Sequence, residues 1–314
     1  MSRAFSLFLA CAALLCGLTV SAPAQPVAAS SQPQLRGVIK VARLTGEVHV
    51  TDVATALRTR LTQNSIVVDG QVVETGANSS VVLVLSNGAV VNVREDARLE
   101  ITQYLQNPFS AAYRVGEAAQ EPSVSSTRLM LRKGEIISQV KKLNREAGSS
   151  FTVETPVGAA GIRGTAFRIQ FTRSGEAGRY VLALAEGLIQ FIPTRGRAVE
   201  VGAGRQVSFS AQFNGATDEV ASMPATLTTT AVAAGEFATL QGAVAEAVSA
   251  AVSVEFAPAP AGVTGPFAVA TGTEGVGVAT PQADAPITPI TSALGSPPAL
   301  PDAPRTTPPD GNLP

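Results

Sequence analysis

The chain has 314 residues, with 23 Lys and Arg against 24 Asp and Glu, one histidine, two cysteines and no tryptophan. So even a balance gives no electrostatic reason for broad attraction to nucleic acid or to an anionic membrane surface. The lone histidine, His49, and the placement of both cysteines, Cys11 and Cys16, in the first 24 residues leave no ligand set for a zinc site of the usual N/S type; no metal and no cofactor are expected.

Residues 1–24 carry Arg3, an apolar run from Ala4 to Val20, and Ala22-Pro23-Ala24 just before Gln25. This is the layout of a secretory signal peptide. The run is interrupted by Gly17, falls short of the roughly 18–20 residues a spanning helix needs, and has no basic stop-transfer flank. Cleavage near Gln25 and export to the periplasm or cell surface are expected, without a stable transmembrane anchor. Lipid attachment is not favoured, because Cys16 follows Leu15 and Cys11 has Phe8 three residues before it. The mature chain would hold no thiol, which suits an oxidising compartment.

Residues 37–213 are rich in valine, isoleucine, leucine and threonine in short runs bounded by glycine-containing pairs, and read as strands of one β domain. Ser65 to Val68 and Val72 to Glu74 flank Asp69-Gly70, and Val81 to Leu85 and Val90 to Val93 flank Asn87-Gly88. Such pairs tolerate the positive φ of a tight reversal, so both predict hairpins. The same grammar recurs at Lys133-Gly134, at Glu186-Gly187, and between Val199–Val201 and Gln206–Phe209. Nothing alternates in the βαβ manner. The fold class is all-β, a single glycine-rich β-sandwich or solenoid-like domain. Asn107 to Arg128, with Pro108 and Pro122, reads as a long loop.

Residues 231–254 place Phe237, Leu240, Val244, Val248 and Val252 at steps of three and four, which predicts one amphipathic helix packed on the β domain or on a partner. Residues 257–314 hold 13 prolines and one large aromatic, Phe267. That is too little bulky apolar surface to offset the entropy of ordering, so a disordered proline-rich tail is expected.

The segment Thr155-Pro-Val-Gly-Ala-Ala-Gly-Ile-Arg-Gly-Thr-Ala-Phe167 resembles the central motif of the FecR domain family, a periplasmic domain first known from regulators of iron uptake. The order around it fits: Glu74-Thr75-Gly76 and Leu85-Ser-Asn-Gly88 upstream, then Leu131-Arg-Lys-Gly-Glu135, with Ala185-Glu-Gly187 and Val201-Gly-Ala-Gly-Arg-Gln206 downstream. The resemblance covers about residues 37–210. It implies a binding, sensory or scaffolding module, with Thr155, Pro156, Gly161, Arg163, Gly164, Thr165 and Phe167 as the motif residues, structural or recognising. Regulatory members of the family carry a cytoplasmic anti-sigma segment and a spanning helix ahead of this domain. Here the similarity begins soon after the signal segment, so sigma regulation by this chain itself is not expected.

Gly158, Gly161 and Gly164 at steps of three predict a crowded corner between strands, with unusual φ or close backbone approach. Thr165, Phe167, Ile169 and Phe171 then fall on one strand face, and Arg168 and Gln170 on the other. The Arg163 guanidinium in this corner is read first as a structural tie onto a carboxylate or carbonyls, and second as a contact to a partner.

Catalytic sets fail on geometry. Ser138-Gln-Val-Lys141 has the Ser-x-x-Lys spacing, but on a strand three residues apart point to opposite faces. His49 and Asp52 have no nucleophile elbow. Glu95 and Asp96 are adjacent and so alternate faces, and nothing in the sequence pairs distant acids such as Glu74 and Glu100; an envelope polysaccharide hydrolase using acidic residues stays the alternative. Lys141, Lys142, Arg145 and Glu146 read as a solvated turn. The expected protein is a non-enzymatic exported module whose partner is an envelope protein or polymer.

Overall fold

The computed structural model describes residues 35–258. The expected signal segment 1–24 and the proline-rich tail after residue 258 lie outside the described residues. In chain order the strands are β1 (Leu35–Arg36), β2 (Ile39–Thr45), β3 (Val48–Asp52), β4 (Arg58–Arg60), β5 (Ile66–Val67), β6 (Gln71–Thr75), β7 (Ser80–Leu85), β8 (Val90–Val93), β9 (Arg98–Gln106), β10 (Tyr113–Arg114) and β11 (Ser125–Gln139). They continue as β12 (Ser150–Thr155), β13 (Gly158–Ile162), β14 (Ala166–Ser174), β15 (Ala177–Glu186), β16 (Leu188–Pro193), β17 (Val199–Gly202), β18 (Arg205–Phe213), β19 (Val220–Ser222) and β20 (Thr230–Ala231). Helix α1 (Ala234–Ala251) and β21 (Glu255–Phe256) close the described segment.

The strands form a sandwich. Sheet A runs β4-β3-β6-β9-β11-β12-β13-β16-β17, with β1 on the far end of β9. Sheet B runs β5-β2-β7-β8-β11-β14-β15-β18, with β19 and β20 at opposite ends of β18. Strand β11 belongs to both. Its first part, Ser125–Lys133, lies beside β9 and β12, and Gly134–Gln139 lies between β8 and β14. The two sheets are joined through this one shared strand, and the all-β reading, sandwich or solenoid-like, holds.

Period-two alternation explains the core. In β14, Phe167, Ile169 and Phe171 enter the main core while Arg168 and Gln170 face out. Tyr104, Phe151, Phe191 and Phe213 are buried with them, each side chain removing roughly 1.5–3 kcal/mol worth of apolar surface from water. Tyr180 stacks on Phe191 with ring centroids 4.7 Å apart.

Of the five glycine-bounded turns read from the sequence, Asn87-Gly88 is a hairpin: Val84 pairs with Val90 and Gly88 has φ +86°. The others are not. At Asp69-Gly70 the chain leaves β5, which pairs with β2, and enters β6, which pairs with β3 and β9. It thereby drops from sheet B to sheet A. Glu186-Gly187 makes the same crossing from β15 to β16, and the turn at Gly202 to Gly204 returns to sheet B. Lys133-Gly134 is no break at all, since β11 runs through it. Positive φ supplies a sharp change of direction in each case; which sheet the next strand joins is decided by distant partners.

The segment after Asn107 is shorter as a loop than its composition suggests, because β11 begins at Ser125, and β10 within it pairs with β21. Helix α1 forms inside the expected span and packs on the outer face of sheet B. Among the described residues no helix is long and apolar enough to cross a membrane.

Candidate functional site

The Thr155–Phe167 motif spans a hairpin and a sheet crossing. Thr155 ends β12, is buried, and donates its hydroxyl to Gly158 O at 3.0 Å. Pro156 is buried in the turn, and Val157 O accepts the Thr194 N–H at 3.0 Å. Gly158 has φ +151° and its backbone lies against Ile192 O, where an added Cβ would come within 2.5 Å. Gly161 needs neither freedom: its φ is ordinary, and a Cβ there would meet Gln190 O at 3.7 Å. Gly164 has φ +70° at the crossing from β13 to β14. Thr165 is buried with its hydroxyl unpartnered, and Phe167 is fully buried in the core.

Arg163 stands apart from these. It is exposed, and among the described residues its guanidinium has no hydrogen-bond or ion-pair partner. The structural tie onto a carboxylate or carbonyl is therefore not what the side chain makes. Nine other arginines, Arg168 and Arg173 among them, do meet carboxylates.

Arg163 lines a cleft of about 540 Å³ together with Lys142, Arg145 and Glu146. The antiparallel register explains why. Gln139 pairs with Ala166, and Val140 N–H donates to Thr165 O at 2.9 Å. Continuing that register sets Lys142 beside Arg163, so the turn read as merely solvated becomes one wall of the cleft. Lys142 and Arg145 are exposed and, among the described residues, likewise lack carboxylate partners.

The opposite wall is the segment ending at Ser123. It is pinned by Glu121, a buried carboxylate that accepts the Ser125 hydroxyl and the Asn144 N–H, each at 2.6 Å. The Glu121 N–H donates to Lys142 O at 3.2 Å. Tyr113 donates to Gln120 O at 3.0 Å; burial first, and then the Glu121 charge, pushes its phenol up to about 12, so it stays a donor. Sequence reasoning passed over Glu121 because nothing local marks an acid whose partners lie 4 and 23 residues away.

The catalytic alternatives are placed as follows. Ser138 is buried in β11 and donates to Val90 O at 2.8 Å, with Lys141 beyond the strand end. His49 lies in β3 with Arg58 Nη2 3.2 Å from its Nδ1, and Asp52 accepts the Ala54 and Thr55 N–H groups in a local turn. Glu74 is held by Arg98 at 2.7 Å, and Glu100 by Arg132 at 3.1 Å. Among the described residues no group of three or more His, Cys, Asp or Glu is placed to hold a metal ion.

Residues 71–190, from β6 into β16, match the family model described as FecR protein. No curated protein matches the chain. Two crystal structures of a candidate anti-sigma factor from Parabacteroides distasonis ATCC 8503, at 1.65 and 2.50 Å resolution, resemble it at 12% identity and a TM-score of 0.37. The similarity covers 54% of this chain and 64% and 63% of theirs, so it spans less than two thirds of those chains. The matched residues include the whole of the glycine corner and both walls of the cleft, so the FecR match falls on the segment that carries the candidate site.

Proposed function

We propose that this chain is an exported, non-enzymatic FecR-domain protein that serves as a binding or sensory module in the cell envelope, meeting an envelope protein or polymer at the cleft beside Arg163. One observation carries the reading: three cations, Lys142, Arg145 and Arg163, surround a cleft whose walls are rigidly held, and none is neutralised by a carboxylate among the described residues. A guanidinium left unpaired on a fixed corner is available for bidentate contact with an acidic group. Of the acids of the hydrolase alternative, Glu74 and Glu100 are each held by an arginine. The export part rests on the Arg3 to Ala24 layout.

The test uses the full chain as bait against envelope extract, beside Arg163→Ala and, as control, Arg179→Ala, another exposed arginine without a partner among the described residues. A partner kept by the control and lost by Arg163→Ala, at an unchanged melting temperature, is the expected result. Equal capture by all three proteins would remove Arg163 from recognition. N-terminal sequencing of the envelope fraction checks export: a start near Gln25 is expected, and an intact Met1 would contradict it.

A further inference from the structure

Sheet B is apolar on both faces. Its inner face belongs to the main core, and its outer face presents Val82, Val84, Val90, Ile137, Ala183 and Ala185 to α1. The helix covers that face with few large side chains: of its buried residues only Leu240 and Val244 are bulky, and Ala247 and Ala251 complete the stripe. Neither end is capped by a side chain, Ala233 standing at the N-cap and Val252, itself right-handed helical, at the C-cap. A helix of 18 residues without caps depends on docking for its existence.

The docking leaves polar groups unmet. Asn92 in β8 pairs across the ladders with Val82 on one side and Ile137 on the other. Cross-strand partners share a face, and these two lie in the clusters packed against α1, so Asn92 points at the helix. It is 1% exposed, and neither Oδ1 nor Nδ2 has a partner. Arg168 Nε, at the other end of the helix, is buried and unpartnered too. Water would satisfy these groups once the helix left, so each of them favours the undocked state.

Charge complementarity adds to the apolar contact that holds the helix. Residues 232–256 contain three acids, Glu236, Glu246 and Glu255, and no base. Each acid meets an arginine of the rest of the chain: Glu236 with Arg168, Glu246 with Arg43 at 2.7 Å, and Glu255 with Arg114 at 2.8 Å. Lys40 adds a hydrogen bond to Glu255 O at 2.7 Å and lies 4.9 Å from the centre of the Phe256 ring.

We propose that the outer face of sheet B is a helix-exchange surface, on which α1 is the resident occupant and an acidic amphipathic helix of a partner protein is the incoming one. The face fits that partner by chemistry already present: an apolar trough, arginines at both ends to receive carboxylates, and the Asn92 amide in its floor. Val244 clusters with Ile137 and Ala247 with Val82, the two cross-strand neighbours of Asn92, so a partner with serine, asparagine or glutamine at the matching positions would satisfy the amide and bind in preference.

Two measurements on the full chain test this. In hydrogen exchange, Asn92→Val removes the unmet amide and is expected to slow α1 amides about tenfold while sheet amides hold steady. Unchanged or faster α1 exchange would mean that Asn92 is satisfied under the docked helix, and the proposal falls. In fluorescence anisotropy, the probe is a labelled peptide with the sequence of residues 232–256. Glu236→Lys with Glu246→Lys in the chain should loosen α1 and tighten peptide binding at least tenfold, with sheet amides still protected. A peptide whose acids are replaced by glutamine should not bind. No gain for the reversed-charge chain, or equal binding of the neutral peptide, would overturn the exchange.

Discussion

Gly134 lies against the backbone of Ala97 so closely that a Cβ at position 134 would stand 2.4 Å from both Ala97 Cα and Ala97 Cβ. This is where β11 leaves sheet A for sheet B, with Gly134 at φ +93°, and Ala97 follows Asp96, at φ +52°, in the turn that carries β8 of sheet B into β9 of sheet A. Two crossings are thus stacked on each other. Gly134→Ala should cost about 3–5 kcal/mol, from backbone strain of about 1–3 together with overpacking of similar size. A urea melt within about 1 kcal/mol of the parent would show that the Ala97 turn moves aside freely.

The glycine corner offers a sharper internal contrast. Gly164 has φ +70° and lies where a Cβ would meet Lys142 Cα at 3.3 Å, whereas Gly161 has ordinary φ and room for a methyl group. Gly164→Val should therefore destabilise by about 2–4 kcal/mol, strain with some displacement of the 140–142 segment. Gly161→Ala should stay within about 0.5 kcal/mol of the parent. Thermal melts of the pair decide it, and a Gly164→Val protein as stable as the parent would show that the corner does not require its glycine.

These glycines also show what was legible in the sequence. Period-two alternation named the strands and their inward residues, as in Phe167, Ile169 and Phe171, because side-chain direction in a strand is a local property. The steps of three and four likewise marked α1. Asp69-Gly70 and Glu186-Gly187 were legible as sharp turns, but a positive φ reads the same in a hairpin as in a crossing between sheets, and the choice rests on partners tens of residues away. For the same reason Lys142 and Arg163 could not be brought together from sequence: only the pairing of Gln139 with Ala166 does so. Nothing in a run of Val-Val-Asn-Val says that Asn92 ends beneath a helix.

Two buried tyrosines should answer oppositely to loss of the hydroxyl. Burial pushes both the Tyr104 and Tyr180 phenols upward, so each stays protonated and keeps an O–H to donate. Tyr104 OH accepts the Asn87 N–H at 2.8 Å, lies 2.8 Å from Ser86 Oγ, and donates to Gln106 Oε1 at 3.0 Å, which ties the Asn87-Gly88 hairpin to β9. Tyr180 OH is buried without any partner, while its ring stacks on Phe191. Tyr104→Phe leaves a buried N–H unmet and should cost about 1–3 kcal/mol; Tyr180→Phe keeps the stacking, relieves an unpaired hydroxyl, and should gain up to about 1 kcal/mol. Urea melts of both variants measure the difference. If Tyr180→Phe loses stability, its hydroxyl has a partner in solution, and if Tyr104→Phe is neutral, the hairpin is held by its backbone ladder alone.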